Sequence, residues 1–236
     1  MNQQAHMTGY HRFRIRSKSL LRDNKLLIIA ELIIVILIVV ASLAGFVPLS
    51  ETPFLLLLGW LSLWLRGLGW RAVGLKRPAH WRHTLLLGGA VGIVYQFFGD
   101  YVVEPLVVLL TGRPVNLSQF ASIEGNVFLL CLFLVLVWTA AAFGEELVYR
   151  GYLMNRVAEL AGGSSAAWAV SLVFVSVVFG VAHIDQGISG IIVNLSAGLV
   201  YGALYLWSGR NMWAPIIAHG VYDTAGLLLI FWGKSH

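Results

Sequence analysis

Charge is the first thing this sequence lacks. Of its 236 residues, 16 are Lys or Arg and 11 are Asp or Glu, which is 11%. A soluble globular chain carries about 25%. So few charges cannot cover a water-exposed surface, which excludes an ordinary cytosolic enzyme. Cysteine is nearly absent too. Cys131 stands alone in an apolar run, so there is no intramolecular disulfide, no cysteine metal site and no secreted disulfide scaffold. What the chain has instead is 58% hydrophobic residues and a mean hydropathy of +0.80. That composition excludes a disordered tail and leaves an integral membrane protein.

The charges that exist are unevenly placed. Arg12, Arg14, Arg16, Lys18, Arg22 and Lys25 stand against Asp23 in the first 25 residues, and this stretch carries the whole formal charge of +5. A basic tail beside a long apolar run reads as the cytoplasmic flank of a membrane span, not as a nucleic-acid arm.

A span needs about 20 mostly apolar residues. Candidates are Leu26–Val47, Phe54–Leu68, Leu85–Leu110, Val127–Glu146 with a helical continuation, Ala166–His183, Ile188–Trp207 and Trp213–Trp232. The expected fold is an all-α, polytopic transmembrane helix bundle of about seven spans (six to eight), the eighth arising if Gly99–Glu104 breaks the third. The first span reads as an uncleaved anchor despite a passable cleavage site at Ser42-Leu43-Ala44. The tail and the loop with Arg66, Arg71, Lys76, Arg77 and Arg82 are expected in the cytoplasm, and the Leu49–Thr52 turn outside. The expected division is a basic tail (1–25), a transmembrane anchor part (26–126) and a catalytic helix bundle (127–232). Gly88/Gly92 and Gly198/Gly202 read as close-packing positions. Trp207, Trp213 and Trp232 suit membrane interfaces.

Ionisable groups at membrane depth cost several kcal/mol and are usually functional or paired. Here they gather after position 140. Gly144-Glu145-Glu146-Leu147-Val148-Tyr149-Arg150 puts adjacent carboxylates about 100° apart on a helix. Glu146 and Arg150 can pair at i,i+4, and Glu145 faces elsewhere. Burial disfavours the charged form of a carboxylate, which suits a general base. The bland alternative is a helix end emerging into headgroups. Phe179-Gly180-Val181-Ala182-His183 ends another apolar run, where a histidine is often a satisfied interfacial residue. His219-Gly220-Val221-Tyr222-Asp223 puts imidazole and carboxylate on one face of the last span. That is the spacing of paired metal ligands, and equally of a carboxylate orienting a histidine. Together these are ingredients for activating a water. Gly-x-Ser-x-Gly and His-Glu-x-x-His are both absent, so neither a serine elbow nor that zinc motif is supported.

Glu-Glu-x-x-x-Arg, Phe-x-x-x-His and His-x-x-x-Asp, in that order, resemble the motifs of the CPBP family, the CAAX prenyl endopeptidases and bacteriocin-processing (Abi) intramembrane proteases. The run Glu145–Leu153 (EELVYRGYL) fits, as does Gly198–Asp223 with its Trp-Ala-Pro-Ile before the histidine. The resemblance covers roughly Val127 to Trp232. It implies an all-α intramembrane endopeptidase (a hydrolase) with a polar site between helices, acting on a peptide or membrane-associated protein from within the lipid bilayer of a cell membrane. By the resemblance, Glu145 with His183 activates the attacking water. His219 and Asp223 hold the oxyanion or, with His183, a metal such as Zn2+, and Glu146 and Arg150 orient the site. Members of the family have been described both as metalloproteases and as glutamate-dependent enzymes without a ligated metal. Asp223 departs from the Asn common in eukaryotic members. An ionised aspartate has no proton to offer an oxyanion, so Asp223 must be protonated, orient His219 or ligate a metal. Two other readings remain open at this point. One is an ion-coupled transporter whose Glu, His and Asp form a proton relay, disfavoured by the lack of a repeated polar pattern. The other is a catalytically inactive scaffold or immunity member, against which all six motif residues are present.

Overall fold

A computed structural model describes residue 21, residues 24–47 and residues 50–234. The tail charges Arg12, Arg14, Arg16, Lys18, Arg22 and Asp23 lie outside the described residues. The described chain is all-α. Its main helices are α1 (Lys25–Leu43), α2 (Thr52–Leu65), α3 (Trp81–Thr111), α4 (Val127–Leu160), α5 (Ser165–Val181), α6 (Gly187–Trp207) and α7 (Trp213–Phe231). Five apolar segments are long enough to cross a membrane: α1, α3, α4, α7, and α6 with the short turn leading into it. Helices α2 and α5 are apolar but shorter. This is a multi-pass membrane bundle.

Local chemistry starts and stops these helices. The side chains of Asn24, Asn126 and Ser164 accept from the backbone N–H three residues on, at 3.1, 3.1 and 3.2 Å. Each thereby satisfies a donor that the first turn leaves open. Pro53 sits in the first turn of α2, where its missing N–H costs nothing. Gly112 closes α3 with φ +69°, a left-handed conformation that favours glycine.

Two features depart from simple α-helices. Helix α3 does not break at Gly99–Glu104; it passes through a π-helical turn at Gly99–Val103 and continues. Helix α4 is π-helical over Val137–Glu145 and again over Leu147–Leu153 before tightening at Met154. Wide i→i+5 windings are rare and cluster at functional sites. This one holds both glutamates of the first motif.

Helix lengths set depth. The α2 helix has 14 residues, about 21 Å against a hydrocarbon core of about 30 Å. With one end at a headgroup layer, its other end stays inside the bilayer. Helix α4 runs about 20 Å beyond Glu145 to Leu160, and α5 climbs back about 25 Å to His183. Glu145 and His183 therefore sit at similar depth, which a span ending at Glu146 would not allow.

The N-terminal helices are woven into the rest. Helix α3 crosses α7 at two glycines. A Cβ on Gly88 would lie 2.8 Å from the Ala214 carbonyl oxygen, and one on Gly92 would lie 2.5 Å from that of Ala218. Backbone thus meets backbone, the packing such small-residue pairs permit. Trp207 and Trp232 are exposed, whereas Trp213 packs on Trp81 and Phe143. Cys131 faces outward.

Arg66 corrects the sequence reading of an orienting loop charge. It is 3% exposed, because its Nη1 lies 2.5 Å from Glu31 Oε1 on α1 and 2.8 Å from Ser62 Oγ. Its charge is spent on a partner inside the bundle. Arg156, near the end of α4, is buried as well and bonds Glu159 at 2.8 Å.

Candidate active site

The three motifs converge from α4, α5 and α7. Glu146 is fully buried and forms the hub. Its Oε1 accepts from Arg150 Nη1 at 2.7 Å, one turn along α4, and meets His219 Nδ1 at 2.9 Å from α7. His219 Nε2 lies 3.3 Å from Asp223 Oδ2. The continuous order is Arg150–Glu146–His219–Asp223. The i,i+4 pairs on α4 and α7 are those expected from spacing. The link between them joins residues 73 apart in sequence, and no spacing rule announces it.

Aromatic rings hold this line in place. Tyr201 on α6 stacks on His219, with centroids 4.8 Å apart and planes 18° apart. Arg150 is clamped by rings on two helices, its guanidinium carbon 4.6 Å from the centre of Phe179 and 5.4 Å from that of Tyr201. Its Nη2 also donates to the Gly198 carbonyl at 3.1 Å. Such cation–π contacts strengthen when desolvated.

Glu145 points away from the hub. It is half-buried, and its Oε2 has no hydrogen-bond partner. The charged groups acting on it are His183, His219, Asp223 and Glu51. His183 is also half-buried, and its Nδ1 lies 2.8 Å from the Phe179 carbonyl oxygen. A carbonyl only accepts, so Nδ1 donates to it, and Nε2 is the ring nitrogen left without a hydrogen bond. Asp185 is exposed in the turn that follows.

Asp223 faces the ring of His219, with Oδ2 beside Nε2. Both ring nitrogens of His219 meet carboxylates, and a ring nitrogen facing a carboxylate is at ease only as a donor. Among the described residues, no three His, Cys, Asp or Glu side chains are grouped to hold a metal ion. A histidine whose Nδ1 donates to a carboxylate is oriented as metal-binding histidines are, with Nε2 turned to Asp223.

Sequence reasoning missed Glu51 and Tyr201. Glu51, assigned to an outer turn, is 8% exposed and accepts from the Tyr149 hydroxyl at 3.0 Å. A lone acid in a short polar turn gave no sign of this. Tyr201 lies inside the noted Gly-x-x-x-Gly stretch, and its ring could have been flagged as one residue inside that pair.

The fold is a multi-pass helical membrane bundle whose buried Arg–Glu–His–Asp line lies beside a second, half-buried glutamate. Residues 127–225 match the family model for the Rce1-like type II CAAX prenyl endopeptidases. The match starts at the first residue of α4 and ends two residues after Asp223, so it contains all three motifs. No curated protein and no solved structure matches the chain.

Proposed function

We propose that this protein is an intramembrane endopeptidase of the CAAX prenyl endopeptidase type, with Glu145 as general base for the attacking water. One observation carries the reading. Of two adjacent glutamates, Glu146 is fully buried with its Oε1 shared between Arg150 and His219, while Glu145 is only half-buried and takes part in neither contact. The Glu145 carboxylate and Nε2 of His183 are the two acceptors a water needs. Glu145 takes a proton from that water as its oxygen adds to the scissile carbonyl carbon. The new oxyanion is steadied by the positive charge that the His219 ring carries when both its nitrogens donate to the flanking carboxylates Glu146 and Asp223. When the tetrahedral intermediate collapses, Glu145 returns the proton to the leaving amine. Arg150 offsets the charge of Glu146 and keeps that carboxylate on His219. By the positive-inside rule, the basic tail and the Arg71–Arg82 loop place the N-terminus in the cytoplasm of a cell-membrane protein.

The test uses detergent-purified protein and a farnesylated peptide ending in Cys-aliphatic-aliphatic-X. Glu145→Ala and His183→Ala are each expected to lower cleavage at least a hundredfold, within the range for loss of a general base, with the melting temperature retained. Cleavage at the wild-type rate by either variant rules the reading out. Metal analysis of the same preparations separates the mechanisms. The proposed glutamate mechanism expects active wild type without stoichiometric zinc; zinc that is present in wild type and lost in both His183→Ala and His219→Ala would replace it with a metal mechanism.

A further inference from the structure

The family match begins at residue 127, yet one carboxylate from the N-terminal part reaches the site. We propose that Glu51 is a positioning residue for the reaction, acting through Tyr149 to fix Glu145 and His183 together; this rests on the peptidase reading above. Glu51 precedes the first turn of α2 and is buried inside the bundle. Both its oxygens are engaged: Oε1 by the Tyr149 hydroxyl at 3.0 Å, and Oε2 by Ser42 Oγ on α1 at 3.1 Å. The α1–α2 corner presses directly on the catalytic helix beside this contact. A Cβ on Gly144, the residue before Glu145, would stand 3.3 Å from Thr52 Cγ2.

Tyr149 is what Glu51 holds, and it connects to both halves of the water site, to Glu145 along α4 and to His183 through Phe179. It lies one turn from Glu145 on α4. Its ring meets Phe179 edge-on, with centroids 4.9 Å apart. The Phe179 carbonyl fixes Nδ1 of His183, and its ring lies 4.8 Å from the histidine ring. Pinning the phenol at its oxygen therefore fixes the roll of α4 at Glu145 and the wall on which His183 leans. This matters most in a π-helical stretch, where the winding is loose. Packing alone does not call for a carboxylate at this depth, where a charge is costly. A charged acceptor gives a phenol a shorter and stronger hydrogen bond than a neutral one.

The experiment measures kcat and KM on the same farnesylated peptide, normalised to folded protein, for Glu51→Ala, Glu51→Gln, Tyr149→Phe and the Glu51→Ala/Tyr149→Phe double variant. Misplacing a reacting group by a fraction of an ångström costs about tenfold or more. Glu51→Ala and Tyr149→Phe should each lower kcat about tenfold and leave KM within about twofold. The double variant should be no worse than the worse single, since both cut one connection. Glu51→Gln, which keeps an acceptor without the charge, should fall between wild type and Glu51→Ala. Unchanged kcat in Glu51→Ala or Tyr149→Phe, losses that multiply, or Gln no better than Ala would each overturn the proposal. A wild type that does not cleave, or a Glu145→Ala variant that does, defeats the peptidase reading instead.

Discussion

Among the described residues the bundle holds two buried Arg–Glu pairs, Glu31–Arg66 and Glu146–Arg150. Their lengths are 2.5 and 2.7 Å, and all four side chains are at most 5% exposed. By burial and distance they are twins, and their surroundings separate them. Glu31–Arg66 joins α1 to the end of α2, and its arginine also bonds the Ser62 hydroxyl and carbonyl. Glu146–Arg150 lies within one helix, and its shared oxygen passes the connection on to His219 and from there to Asp223. A buried ion pair is therefore no mark of chemistry by itself. What sets Glu146–Arg150 apart, on the proposed reading, is that it continues into a histidine ring beside the half-buried carboxylate of Glu145.

Breaking one member of each pair tests that distinction. Glu146→Gln should have the largest effect, because it strands both Arg150 and His219. Removing one partner of a buried pair costs about 3–5 kcal/mol, and cleavage per folded molecule should also fall about a hundredfold as His219 loses its orientation. Glu31→Gln should cost similar stability, read from thermal unfolding in detergent, while cleavage per folded molecule stays within about twofold of wild type. A large loss of specific activity in Glu31→Gln would erase the contrast. The smallest effect belongs to Glu31→Leu with Arg66→Leu. Replacing a whole buried pair by apolar residues is often neutral or stabilising, so unfolding within about 1 kcal/mol of wild type with full activity is expected.

Much of the helical layout could be read from hydropathy, because seven apolar segments separated by polar turns correspond to seven helices. Pairs within one helix were also legible, since i,i+4 spacing puts Glu146 by Arg150 and His219 by Asp223. What joins helices was not. The Glu146–His219 and Glu31–Arg66 contacts and the reach of Glu51 to Tyr149 depend on how helices cross, and an apolar helix shows little in its sequence about which side meets which neighbour. Arg66 illustrates the cost. Counted as a loop charge, it fits the orientation rule, yet it lies inside. The π winding of α4 was equally hidden, because its residues Val137–Gly144 are unremarkable helix formers.

That winding has a consequence for the site. A residue added to a helix normally turns everything beyond it by about 100°. In α4 the wide turns absorb extra backbone without ending the helix, so the angular position of Glu145 and Glu146 is set by how loosely residues 137–153 are wound. Substitutions that tighten Val137–Gly144 to α winding, with no residue lost, would swing both carboxylates off their partners, while hydropathy and all three motifs stayed intact. A reader of such a variant's sequence would see a complete active site. The molecule would have one whose glutamates face the wrong helices.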